Sequence, residues 1–138
     1  MSANRPSWTD LAEAVQDAGQ YVTAAEAEHV LRVVLSALGD HVTGEERVDL
    51  ARALPEEAAR IIASRIPLNR PLSAPEFVDT VAARIDGATP ATARWHVSSV
   101  LSVLPELVGD ELVDRVLTQL PSGYALLFGK AELTPAAA

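Results

Sequence analysis

The sequence predicts an all-α fold: two tandem pseudo-symmetric repeats of about four helices each, packed as one helical bundle. Three observations predict it. First, the chain repeats itself. Shifted by 66 positions, Leu11–Ser64 falls on Phe77–Lys130 without a gap. Identical pairs include Val15/Val81, Thr23/Thr89, Val34/Val100, Leu35/Leu101, Leu38/Leu104, Val42/Val108, Glu45/Glu111, Leu54/Leu120 and Pro55/Pro121. A gap-free offset of that length marks one structural unit built twice. Second, apolar residues recur at a helical and not a strand period. Third, helix-start signals stand at matching places in both halves. At 138 residues the chain suits one domain, whereas either half alone would bury too small a fraction of its surface to be stable. The halves are therefore expected to share a core. The divisions are a repeat at 1–66, a Pro-containing joint at 67–73, a second repeat at 74–130 and a flexible tail at 131–138.

The elements follow in order. A first helix is expected at about 9–19, before Thr23-Ala24-Ala25-Glu26, a capping box. There Thr accepts from the third residue's N–H while Glu reaches back. The long helix it opens, about 24–40, carries Ala27, Leu31, Val34, Leu35, Leu38 and, just beyond it, Val42. Spacings of three and four put these on one stripe. Thr43-Gly44-Glu45-Glu46 has the same capping form and opens a helix at about 44–53, with Leu50, Ala51 and Leu54 inward. Pro55, Glu56 and Glu57 start a short helix at about 55–65, with acids placed to suit the first turn. Pro67 and Pro71 stiffen the joint.

In the second half, Ser73-Ala74-Pro75-Glu76 caps a helix at about 74–85. Thr89 then caps a long helix at about 90–104 with Pro90 at its first position, where no N–H is missed. Its stripe is Ala93, Val97, Val100, Leu101 and Leu104, continued by Val108. Helices at about 110–119, with Val116, Leu117 and Leu120 inward, and at about 121–129 complete the repeat. Tyr124, Leu126, Leu127 and Phe128 are expected to close its core.

Net charge is −8 and the basic residues stand singly. A surface that tracks phosphates needs concentrated positive charge, as does docking on an anionic membrane. Neither nucleic acid nor a membrane is expected as partner. No apolar stretch approaches the ~20 residues of a membrane helix. The polar start Met1–Trp8 lacks the apolar run of a signal peptide. Cysteine is absent, which excludes disulfides, thiolate nucleophiles and thiolate metal sites. A cytoplasmic protein is expected.

Catalytic signals are weak. Glu26-Ala27-Glu28-His29 has the Glu-x-x-His spacing of di-iron bundles, which need two such helices. The equivalent positions are Thr92 and Trp95, so the second half of such a site is missing and no metal or cofactor is expected. His29, His41 and His96 share no catalytic spacing with a nucleophile. The acid pairs Glu45/Glu46, Glu56/Glu57 and Asp110/Glu111 lie at helix starts, where the dipole accounts for them. Single glycines form no phosphate loop.

One surface stands out. On the second long helix Trp95 projects about 170° from the apolar stripe, at 100° per residue, with His96 and Ser99 beside it. The corresponding flank of the first long helix is apolar at Val30, Val33 and Ala37, and such a flank must meet something. Either the two long helices pack through it, or Trp95 anchors a partner or a second copy, since Trp is enriched at binding hot spots. Trp95, His96, Ser99, Val30 and Val33 are the candidate interaction residues.

Glu76-Phe77-Val78 opening a repeat, Val100-Leu101 with Leu104, Glu111, then Leu120-Pro121 and Leu127-Phe128 carry a family resemblance. Over about residues 9–130 the chain resembles the bacterial family named domain of unknown function 2267. The resemblance implies an all-helical bundle found in bacteria, notably actinobacteria, and implies no activity. Leu11 stands where the family has Phe, and Arg60-Ile61-Ile62 replaces an aromatic close. The expectation is a non-enzymatic interaction or scaffolding module that self-associates or takes a protein partner. The alternative is a ligand-binding protein or enzyme with a pocket between the repeats, using His96 with Glu106 or Asp110.

Overall fold

Thr23, Ser73 and Thr89 each cap a helix where the sequence places one. The computed structural model describes residues 6–130. Its helices, in order, are α1 (Trp8–Gly19), α2 (Ala24–Gly39), α3 (Gly44–Ala53), α4 (Glu56–Ala63), α5 (Ala74–Arg84), α6 (Pro90–Leu101), α7 (Leu104–Val108), α8 (Asp110–Thr118) and α9 (Tyr124–Leu127). The described residues contain no strand. Ser73 and Thr89 cap α5 and α6 with reciprocal bonds, and Thr23 accepts from the Glu26 N–H at 3.1 Å. Thr43 does not cap α3: its N–H donates to Gln119 Oε1 on the far half, and Glu46 is taken up by Gln119 and Arg115. The expected tail, 131–138, lies outside the described residues.

The stripes converge on one core. Ala27, Leu31, Val34, Leu35, Leu38 and Val42 are all buried, as are Ala93, Val97, Val100, Leu101 and Leu104. Val108 departs from its stripe and is only partly buried. Helix α1 pairs with α2, and α5 with α6; α2 also packs on α4, α5 and α6, and α1 crosses to α6. The result is a helical bundle with a single hydrophobic cluster running through both halves.

Proline and glycine explain where the helices depart from expectation. The helix expected at 90–104 stops at Leu101, and α7 follows as a separate turn. Pro105 lacks an N–H and its ring clashes with the carbonyl four residues back, that of Leu101. The expected 121–129 helix shrinks to Tyr124–Leu127, because Gly123 takes φ 100° in the turn after Pro121. Leu126 is exposed and drops out of the expected C-terminal cluster, while Tyr124, Leu127 and Phe128 are buried. Phe77 meets Tyr124 and His41 edge-on at centroid distances of 5.4 and 5.2 Å. His41 is thus a core residue, with Nδ1 2.8 Å from the Ala37 carbonyl.

Polar side chains tie the halves and the joint. Arg115 donates to Glu46 (3.3 Å) and Asp49 (2.8 Å) across the α3–α8 contact. The Leu68 N–H donates to the Asp40 carbonyl at 2.8 Å, and Tyr124 Oη donates to the Leu72 carbonyl at 2.7 Å. The joint is therefore strapped at both ends.

Candidate functional site

The first turns of α2 and α6 stand side by side, and the chain between α5 and α6 closes one flank. Between them lies a cleft of about 450 Å³. Helix α2 contributes Glu26, His29 and Val30; α6 contributes Thr92, Trp95 and His96; Ile85–Ala88 form the third wall. These three-residue sets stand 66 positions apart in the sequence. Val30 is buried and supplies an apolar floor, while Glu26, His29 and Trp95 are exposed at the mouth.

The turn after α1 braces the opposite side. Trp95 Nε1 donates to the Gly19 carbonyl at 3.0 Å, which fixes the indole while leaving 52% of the residue exposed. Tyr21 Oη lies 2.6 Å from His96 Nδ1, a hydrogen bond whose direction follows the imidazole tautomer. The two rings stack, with centroids 5.7 Å apart and planes 22° from parallel. Gly19 permits this: a Cβ there would overlap the Tyr21 ring and come within 2.8 Å of Ser99 Oγ. In the second half Tyr21 is replaced by Gly87, whose Cβ would meet nothing within 4 Å. One flank is plugged by a phenol and the other stays open.

Burial favours the neutral form of both the phenol and the imidazole. It raises the Tyr21 pKa above its ordinary value, opposed by the nearby Ser99 hydroxyl and aided by the charge of Glu26. It lowers the His96 pKa below the ordinary 6.5, opposed by Glu26 and aided by His29. A neutral imidazole offers one donor and one acceptor. With a carboxylate, a second imidazole and an indole face, the cleft can recognise a planar polar molecule. Ser99, behind the wall, is buried and its hydroxyl donates back to the Trp95 carbonyl at 2.7 Å.

The candidate residues therefore divide. Trp95 and His96 line the cleft with Val30, Ser99 buttresses Tyr21, and Val33 packs partly buried against the core. The apolar flank of α2 is covered within the chain, Val30 and Ala37 being buried. Neither Glu106 nor Asp110 lines the cleft with His96. Asp110 sits at the start of α8, 3.1 Å from Lys130 Nζ, and Glu106 stands on α7. The partners His96 does have, Tyr21 and Glu26, come from the other half. Tyr21 was legible only as a repeat position where the halves disagree. Among the described residues no cluster of three or more His, Asp or Glu side chains could hold a metal ion. Nor is any helix there long and apolar enough to cross a membrane.

None of the curated proteins matches this chain. Residues 8–127 match a family described as an uncharacterized conserved protein (DUF2267). With a match over nearly its full length, the chain belongs to that family.

Proposed function

We propose that the chain is a non-enzymatic binding module whose recognition surface is the cleft between α2 and α6. The observation that carries the reading is the Tyr21–His96 pair. A phenol and an imidazole from different halves share a hydrogen bond at the wall of a cleft that also presents Glu26, His29 and Trp95. Concave sites with an apolar floor and a few convergent polar groups are where small ligands bind.

The reading rests on two pseudo-symmetric repeats packed face to face. Helices α1, α2 and α3 start at residues 8, 24 and 44, and α5, α6 and α8 at 74, 90 and 110, each 66 later. A twofold relation also requires equivalent elements to touch. Helix α2 packs on α6, α3 on α8, and the exchanged pairs α1–α6 and α5–α2 both occur. Asp49 and Arg115, equivalent positions, form an ion pair at 2.8 Å. Superposing the two halves in an experimental structure tests the relation.

Thermal-shift measurement against a panel of metabolites tests the cleft, because a ligand that binds only the folded state raises Tm by mass action. One chemical class should stabilise the protein and fail to stabilise Ala88→Trp, whose bulk enters the cleft. No class-specific shift, or a shift that Ala88→Trp retains, defeats the proposal. A second reading places a protein partner or another copy of the chain on the half-exposed Trp95 indole. Light scattering after size exclusion separates the two: Trp95→Ala should then lower the mass, whereas a small-ligand cleft leaves a monomer throughout.

A further inference from the structure

The cleft is one lobe of a longer depression. His29 also lines a groove of about 440 Å³ with Arg32, Val33, Ser36, Arg65 and Arg84. The opposite wall runs on without a break, since Arg84 faces the groove and its neighbours Ile85–Ala88 face the cleft. The lobes differ in charge. The cleft carries the carboxylates of Glu26 and Asp86. The groove carries three guanidiniums and no carboxylate among its lining residues.

The acids nearby do not saturate the groove. Arg32 is engaged by Glu57 at 2.7 Å and by Glu28 at 3.7 Å. Arg65 takes the Asp40 carboxylate bidentately, at 2.8 and 3.2 Å. Arg84 reaches that same carboxylate only at 3.6 Å and makes no hydrogen bond among the described residues. Asp40 is thus committed to Arg65 and holds Arg84 only loosely. Arg84 keeps a planar fork of five N–H donors, the geometry that matches carboxylate and phosphate.

Resting on the reading of the cleft as a ligand site, we propose that the joined depression binds a small aromatic anion. Its ring lies in the cleft beside Trp95 and His96, and its carboxylate or phosphate meets Arg84 next to His29. The orientation follows from charge: Glu26 and Asp86 repel an anion from the first lobe and accept hydrogen bonds from any hydroxyl or amine on the ring.

Titration of the full chain followed by NMR tests this, reading the Trp95 indole N–H and the Arg84 side-chain N–H. The probes are benzoate, phenyl phosphate, phenol and inorganic phosphate. The better of the two aromatic anions should bind at least tenfold tighter than phenol and than inorganic phosphate, shifting both resonances. Which of the two wins assigns carboxylate or phosphate. Arg84→Gln should bring that anion down to the affinity of phenol while leaving phenol itself unchanged. Arg84→Lys, which keeps the charge without the fork, should fall between. Phenol binding as tightly as the anions, or Arg84→Gln binding them like the parent, overturns the anion assignment and leaves the cleft standing. If no probe moves the Trp95 resonance, both the assignment and the cleft reading fail.

Discussion

Arg47 reaches four carbonyl oxygens with one guanidinium. Nη1 donates to Gly39 (2.7 Å) and Val42 (2.9 Å), and Nη2 to Ile62 (2.5 Å) and Arg65 (2.7 Å). These carbonyls lie at or just beyond the ends of α2 and α4, where helices leave acceptors without partners and carry partial negative charge. The ends stand close: a Cβ on Gly39 would lie 3.0 Å from the Ile62 carbonyl oxygen. A hydrogen bond from a charged donor contributes about 1.5–3 kcal/mol. The four share one partly buried group, and water would hydrate some of the freed carbonyls. Arg47→Ala is therefore expected to cost about 3 kcal/mol, well below the sum of the bonds. In a domain of this size that lowers Tm by about 10 °C. Arg47→Lys should recover less than half, because an ammonium is a point donor that cannot span two helix ends. Urea unfolding of the three proteins measures the difference. A loss under about 1 kcal/mol for Arg47→Ala, or full recovery by Lys, would refute the clamp.

Three further outcomes follow from the same structure. Gly19→Ala should push the Tyr21 ring off His96 and destabilise the fold by about 1–3 kcal/mol, as overpacking does; an unchanged His96 spectrum with unchanged stability speaks against the close approach. Tyr124→Phe should cost about 1 kcal/mol by leaving the Leu72 carbonyl without its donor; urea unfolding indistinguishable from the parent removes that strap from the account. His96 should make stability depend on pH. Burial lowers its folded pKa below 6.5, so as pH falls the unfolded chain takes up the proton first. Its contribution is intact above about 6.5 and is lost below that value, until the folded imidazole protonates too. The gap between wild type and His96→Gln should therefore change between about pH 7 and 5; parallel stability curves would contradict the burial argument.

Periodicity and capping are local properties, and they read well. Every stripe residue of the first long helix is buried, and helices begin at Ala24, Gly44, Ala74 and Pro90, just after the caps assigned to them. The misreadings came from backbone chemistry that overrode the pattern. Pro105 cut a helix whose apolar spacing continued past it, and Gly123 shortened the last one. Thr43 matched a capping box, yet its N–H went to Gln119, 76 residues away, because Gln119 and Arg115 from the other half took up Glu46. At Arg47 the equivalent residue is Val113, and nothing local separates a surface arginine from a clamp.

Much of the architecture was thus written in the linear order of residues: the helices and their inward faces. Those features depend on spacing along one chain segment, which survives without knowing any neighbour. The cleft was settled elsewhere, by how α2, α6 and two dissimilar turns meet in space. Tyr21 and His96 lie 75 residues apart and share a hydrogen bond; Arg84 and Arg65 come together on Asp40. Such groupings arise from packing geometry between distant segments, where a side chain's burial, charge state and partners are fixed by what stands across from it.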